Sequence, residues 1–318
     1  MELQSDLPWP LNQNSDLIDL IASISGEHKR IVTSKLLQEE KCLGWNVRTD
    51  LQDRQLPPHH WSEDLAEFYA STNAFLYETS VWNRRPLKQE IRNWICDYLK
   101  ASFPQPLKIL AYGDGLGFDS LQWSQTRHDV TYFEVSPDCI AYAQQVFKKN
   151  NAEINMLQSI TGLEPDSFDV IICLDVLEHV PEPSFILADF TKWLKVDGLL
   201  ITHSPFFLVH PWYSTHLKSN QKFSGCTKLY TSLGLQPVRS RLFWDPIVLK
   251  NTRQAFIRSK IPWSTRLGGV LLAQGRGYNG KIHSLIARLK SQGHSHWVND
   301  LKQLLEQEQA GTLELPPA

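Results

Sequence analysis

A strand-like run, Ile109-Leu110-Ala111-Tyr112, leads directly into Gly113-Asp114-Gly115-Leu116-Gly117, and a second such run ends at Glu134, seventeen residues after Gly117. Glycines are needed where a chain turns sharply and where a ligand must approach the backbone with no Cβ in the way. An acidic side chain at the tip of the second strand is where the hydroxyls of a ribose are gripped by paired hydrogen bonds. A dinucleotide fingerprint, G-x-G-x-x-G, would place a glycine at 118, where this chain has Phe118. The third glycine falls one residue earlier. That favours S-adenosylmethionine, which has no pyrophosphate to seat on a helix N-terminus, over a nicotinamide dinucleotide.

A second group of residues suits proton transfer. Asp175, Glu178 and His179 follow a fourth apolar run, and His203, His210, Tyr213 and His216 follow a fifth. Ligands in open α/β sheets sit over the carboxyl ends of the strands. A histidine there titrates near neutrality and suits removal of a proton from an amine or a hydroxyl. His179, His203, His210 and Tyr213 are the catalytic candidates. The spacings among these histidines, and those of His59 and His60, match neither a two-histidine helix face nor a zinc clip, so no metal is expected. No G-x-S-x-G or comparable nucleophile arrangement is present.

The elements that must hold these residues fall into three segments. Residues 1–104 read as a helical cap or lid, with helices expected over Asp16–Ser25, Glu27–Glu40, Trp61–Tyr77 and Pro86–Ser102. The run Phe75–Asn83 mixes aromatic and polar side chains suited to a lid. Residues 105–252 alternate apolar strands with amphipathic helices, which is the pattern of a parallel sheet covered on both faces. Strands are expected at Leu107–Tyr112, Val130–Glu134, Glu153–Leu157, Val170–Leu174 and Gly198–His203. Two further runs, Gln236–Phe243 and Ile247–Lys250, are joined closely enough to form an antiparallel hairpin. Residues 253–318 read as a helical extension with a glycine-rich turn over 274–280 and helices near Lys281–Ser291 and Trp297–Gln307.

Composition narrows the class. The 318 residues carry a formal net charge of −2, which gives no electrostatic case for nucleic acid or an anionic membrane surface. No apolar run is long enough to span a bilayer, and the acidic start Met1-Glu2-Leu3-Gln4-Ser5-Asp6 has no signal core. Five widely spaced cysteines without a C-x-x-C read as reduced thiols of a cytoplasmic protein. Eleven tryptophans, fourteen phenylalanines and nine tyrosines supply either core filling or an aromatic-lined pocket.

Four blocks together resemble the class I S-adenosylmethionine-dependent methyltransferases, in particular the ubiquinone-type branch acting on small molecules. They are the glycine loop, Phe133-Glu134-Val135-Ser136-Pro137, the stretch from Ser167 to Pro183 with Leu177-Glu178-His179-Val180-Pro181-Glu182-Pro183, and Leu194 to Ile201. The resemblance implies a Rossmann-like, mostly parallel seven-stranded sheet. It also implies cofactor contacts from Gly113, Asp114, Gly115, Gly117, Glu134, Val135, Ser159, Leu174 and Asp175. The activity implied is in-line methyl transfer to nitrogen or oxygen of a small molecule or short peptide, with S-adenosylhomocysteine as product. A binding module that has lost catalysis is the alternative that Ala111 favours, since the family usually has an acidic residue there. A nicotinamide oxidoreductase is the third, opposed by Phe118.

Overall fold

The computed structural model describes residues 7–241, 244–254, 261–274 and 295–309. The expected helix near 281–291, nearly all of the turn over 274–280 and the first six residues lie outside them. Among the described residues seven strands form one sheet in the order β3-β2-β1-β4-β5-β7-β6. They are β1 (Lys108–Tyr112), β2 (Asp129–Phe133), β3 (Asn155–Leu157), β4 (Phe168–Leu174), β5 (Leu194–His203), β6 (Leu235–Ser240) and β7 (Ile247–Asn251). Pairings from β3 across to β5 are parallel, and β7 runs antiparallel to both β5 and β6. This is the Rossmann-like sheet with an antiparallel hairpin expected from the sequence. The order reverses between β1 and β4, so a crevice opens at the carboxyl ends of those two strands.

The helices beside the sheet start where their sequences stop them fraying. In α8 (Pro137–Lys149), Ser136 accepts a hydrogen bond from the Cys139 amide and Pro137 occupies the first turn. The α7 helix (Phe118–Gln125) starts on Gly117, which has no side chain to cap it. Asp114 does so from inside the glycine loop, accepting from the amides of Asp119 (3.1 Å) and Ser120 (2.6 Å). On the other face, α9 (Pro183–Trp193) buries Leu187 and Phe190 against the sheet.

Before the sheet come α1 (Asn14–Ser25), α2 (Lys29–Lys41), α3 (Trp45–Asp53), α4 (Glu63–Ser71), α5 (Ala74–Arg84) and α6 (Pro86–Ser102). The single helix expected over Trp61–Tyr77 is two. Thr72 breaks it: its hydroxyl donates to Asp50 and accepts from the Ala74 amide, which ends α4 and starts α5 in a new direction. The α3 helix was not expected. These helices do not stand apart from the sheet, because Leu17, Ile21, Leu36 and Tyr77 share one apolar cluster with Phe118, Tyr142 and Phe147.

Among the described residues, α11 (Trp263–Gln274) and α12 (Ser295–Gln309) follow the sheet, and the short α10 (Lys228–Thr231) precedes β6. The α12 helix packs back on the first helices: Leu301 joins the same cluster, and the Arg84 guanidinium lies 3.9 Å from the Trp297 ring centroid. All five cysteines are free thiols. No described helix is long and apolar enough to cross a membrane.

Candidate functional site

A cavity of about 1170 Å³ opens at the carboxyl ends of β1, β2, β4 and β5, roofed by α5 and by the loop that follows β5. The three loop glycines all have positive φ but play different parts. A Cβ on Gly117 would lie 2.7 Å from the Phe147 ring, so this glycine allows α7 and α8 to pack. A Cβ on Gly113 would lie 2.5 Å from Val176. Of the three, only Gly115, at φ +56°, would give a Cβ nothing closer than an ordinary contact, Thr79 at 3.5 Å, and it lines the cavity. Gly115 is where a ligand can reach the backbone.

Glu134 leaves the end of β2 beside it. One carboxylate oxygen accepts from the Gly115 amide at 2.9 Å, and the other from the Val135 and Ser136 amides at 2.6 and 3.0 Å. A carboxylate offers about four lone-pair sites, so one remains on the oxygen facing the loop. Val135 and Leu174 also line the cavity. Asp114 borders it, but its carboxylate is spent on the start of α7, where burial and the neighbouring Asp119 push it up to about 7. Ser159 is exposed, accepts a hydrogen bond from the Thr161 amide, and stands off the cavity wall.

Asp175 follows β4 in a left-handed backbone conformation, φ +60°. One oxygen bonds His203 Nδ1 at 2.6 Å; the other accepts from Trp82 Nε1 at 3.0 Å and Lys88 Nζ at 3.2 Å. Burial works against its charge, yet Lys88 and His203 outweigh burial and hold the carboxyl well below the usual range. His203, at the end of β5, shows the converse. Burial opposes its protonation, but Asp175 prevails and raises it above the ordinary histidine value. Lys88 is shared with Asp119, which also pairs with Arg92 at 2.8 Å. The arrangement is a histidine of the cavity lining held through Nδ1 by Asp175.

The other candidates lie on the same wall. His179 sits in a single 3-10 turn, Leu177–His179, and its Nδ1 is 3.1 Å from the Tyr69 hydroxyl. Burial drives it down to about 4, so it is neutral at pH 7. His216 meets it edge to face at 4.6 Å and is pushed well down by burial and by His179. Tyr213 packs against His216, and burial lifts its hydroxyl to about 12. His210 Nδ1 accepts from the Trp212 amide at 3.4 Å. Glu178, His179 and His216 bring one potential ligand atom each within 4.8 Å of one another, an assembly that their spacing in the chain does not reveal.

The roof is pinned from both sides. The His59 amide donates to Ser214 and the Lys218 amide to His59, so the Pro/His turn of the first segment clasps the loop after β5. Asn220 Nδ2 donates to the carbonyls of Leu177, Glu178 and Val180, fixing the turn that carries His179. Lys88 and Asn220 were not singled out from the sequence. Trp82 and Glu78 were seen only as part of the aromatic lid run, although their four-residue separation on a helix sets both on one face.

The methyltransferase domain model matches residues 110–202, from within β1 to within β5. The ubiquinone biosynthesis O-methyltransferase of Rickettsia akari (strain Hartford) is 35% identical over 97 residues, covering 30% of this chain and 39% of that protein. Its counterpart in Xanthomonas campestris pv. campestris (strain B100) is 29% identical over 109 residues, covering 33% and 46% respectively. The chain thus spans less than half the length of these curated relatives. Among solved structures, the Burkholderia thailandensis 1,6-didemethyltoxoflavin-N1-methyltransferase, bound to 1,6-didemethyltoxoflavin and S-adenosylhomocysteine, has 17% identity and a TM-score of 0.41. That match covers 60% of this chain and 86% of the other.

Proposed function

We propose that this chain, whose residues 110–202 form a class I S-adenosylmethionine-dependent methyltransferase domain, transfers a methyl group to nitrogen or oxygen of a small molecule held in the cavity under α5. The observation that carries the reading is the pairing of an open Gly115 with Glu134 in that cavity's wall. Bound there, S-adenosylmethionine would supply a methyl group on a sulfonium, the C–S electron pair returning to sulfur as the acceptor's lone pair forms the new bond.

The residues of the chain do the rest. Glu134 has an acceptor site left for a ribose hydroxyl, and Gly115 lets the ligand lie against the loop. Gly113 and Gly117 shape the loop, and Val135, Leu174 and Asp175 complete the wall. Trp82 and Lys88 fix Asp175, and Asp175 fixes His203 in the tautomer with a proton on Nδ1 and a lone pair on Nε2. His203 is the general base that takes the acceptor's proton. His179, neutral and bonded to Tyr69, orients the acceptor, and Tyr213 and His210 close the cavity behind it. The roof excludes water, which strengthens each of these contacts.

The test has two parts. Calorimetry should detect S-adenosylhomocysteine binding, and a panel of hydroxyl and amine acceptors should include one that drives formation of S-adenosylhomocysteine from S-adenosylmethionine. Binding without turnover on any acceptor would favour a regulatory module, and absence of binding would overturn the reading.

A further inference from the structure

The side chains that line the cavity do not balance in charge. Arg85 pairs with Glu40 at 3.3 Å, Lys88 is shared by Asp119 and Asp175, and Lys41 stands exposed at the rim. Among the described residues, Glu78 and Glu178 of the lining pair with no lysine or arginine, and their carboxyls are not spent on a helix start or loop amides as those of Asp114 and Glu134 are. Glu78, half-buried on α5, makes no side-chain hydrogen bond among the described residues and projects toward the Gly44–Trp212 crossing, where a Cβ on Gly44 would lie 3.4 Å from its Oε1. Glu178, in the turn after β4, is 1% exposed, and among the described residues its Oε2 has no partner. His179 Nε2 lies 3.9 Å from its Oε1, but burial drives that histidine down to about 4, so at pH 7 it balances no charge. Trp45, Tyr69, Phe75, Trp82, Trp212 and Tyr213 line the same cavity, with Trp45 stacked on Trp212 and Tyr69 on Phe75.

Resting on the methyltransferase reading, we propose that the acceptor carries an ammonium group, which Glu78 and Glu178 recognise in the aromatic-lined cavity. Glu178 is buried and Glu78 half-buried, and a carboxyl shielded from water without a counter-charge is held protonated or awaits a cation, since an isolated charge in an apolar site is costly. Both groups are pushed well up, by burial first, then by Glu39 and Asp175 for Glu78 and by Asp175 for Glu178. Ring faces attract cations, so the same walls that exclude water favour an ammonium over a neutral group of equal size. Glu78 lies on the acceptor side of the roof. It is one helical turn before Trp82 and beside Trp212, whereas Thr79 of the same helix faces the glycine loop.

The experiment compares matched pairs that differ only in the cation: phenethylamine with phenethyl alcohol, and tryptamine with tryptophol. Each is titrated into the full chain saturated with S-adenosylhomocysteine. At least one amine should bind about tenfold or more tighter than its alcohol. Glu78→Gln should abolish that preference and Glu178→Gln should reduce it, with S-adenosylhomocysteine affinity within twofold of the parent in both. The proposal is overturned if neither pair shows an amine preference, if Glu78→Gln keeps it, or if Glu78→Gln weakens S-adenosylhomocysteine binding, which would assign the carboxyl to the cofactor. Failure of the parent chain to bind S-adenosylhomocysteine at all would instead remove the methyltransferase reading on which the proposal rests. Thermal melts of both variants, whose amides keep the carboxyl's shape, check that each is folded.

Discussion

The two halves of the cavity are built on different principles. The half with Gly115 and Glu134 is made from a loop and a strand end close together in the chain, and its contacts run to backbone amides. The half with His179, His203 and Glu78 draws on α5, the turn after β4 and the loop after β5. Its contacts are between side chains with displaced proton affinities: His203 raised, His179 and Asp175 lowered, Glu78 and Glu178 raised. Backbone amides neither titrate nor change rotamer, so the first half suits a constant ligand. Side-chain networks respond to single substitutions and to pH, so the second half is where specificity and proton transfer can vary.

That contrast can be broken most directly at the glycines. Gly115→Val should remove measurable S-adenosylhomocysteine binding by calorimetry, since the side chain fills the open face, at a stability cost of about 1–2 kcal/mol for a left-handed residue. Gly117→Ala should behave oppositely, losing about 1–3 kcal/mol of stability through its clash with Phe147 while folded protein keeps its affinity. Equal loss of binding in the two would erase the distinction between a ligand glycine and a packing glycine.

On the acceptor side, His203→Ala should lower turnover by roughly 10²–10⁴-fold with S-adenosylhomocysteine affinity unchanged. A base must be unprotonated, so turnover in the parent should rise with pH until it passes the raised value of His203, then level off. The variant should lose that acid limb. Glu134→Ala should do the reverse. Affinity should fall by about 1.5–3 kcal/mol per charged hydrogen bond lost, roughly tenfold to a hundredfold, with no change in the pH profile of turnover.

A further difference concerns stability. His179 is held near 4 when folded and returns to its ordinary value of 6.5 on unfolding, so the unfolded chain binds the extra proton between those values. Stability from this group is therefore lost as pH falls from 6.5 toward 4. Urea unfolding at pH 7 and pH 5 should show about 2 kcal/mol more acid destabilisation in the parent than in His179→Gln. The smallest effect is expected from Trp82→Phe, which removes one bond to Asp175 and should lower turnover by roughly fivefold, about 1 kcal/mol.

Much of the fold was legible because its signals are local. Pro86–Ser102 carries proline at the first turn and a regular apolar stripe, and the helix occurs with those bounds. The sheet strands are short apolar runs next to turn residues, so their existence and order along the chain could be read directly. The break at Thr72 could not, because it depends on a hydrogen bond to Asp50, twenty-two positions earlier. The α3 helix has a weak stripe and gains its core from Phe68 and Leu217, far along the chain.

The candidate site divides along the same line. Sequence alone determined the parallel sheet, the glycine loop and the acidic strand end, since turn geometry and strand periodicity act over a few residues. Only the tertiary structure decided what Asp114, Asp175 and Glu78 do. Asp114 faces a helix start within its own loop, Asp175 meets a lysine from α6 and a histidine from β5, and Glu78 meets open cavity. A carboxylate's role follows from which charges and donors surround it. In a buried site those neighbours arrive from elements a hundred residues apart, and no spacing in the chain records the distances between them.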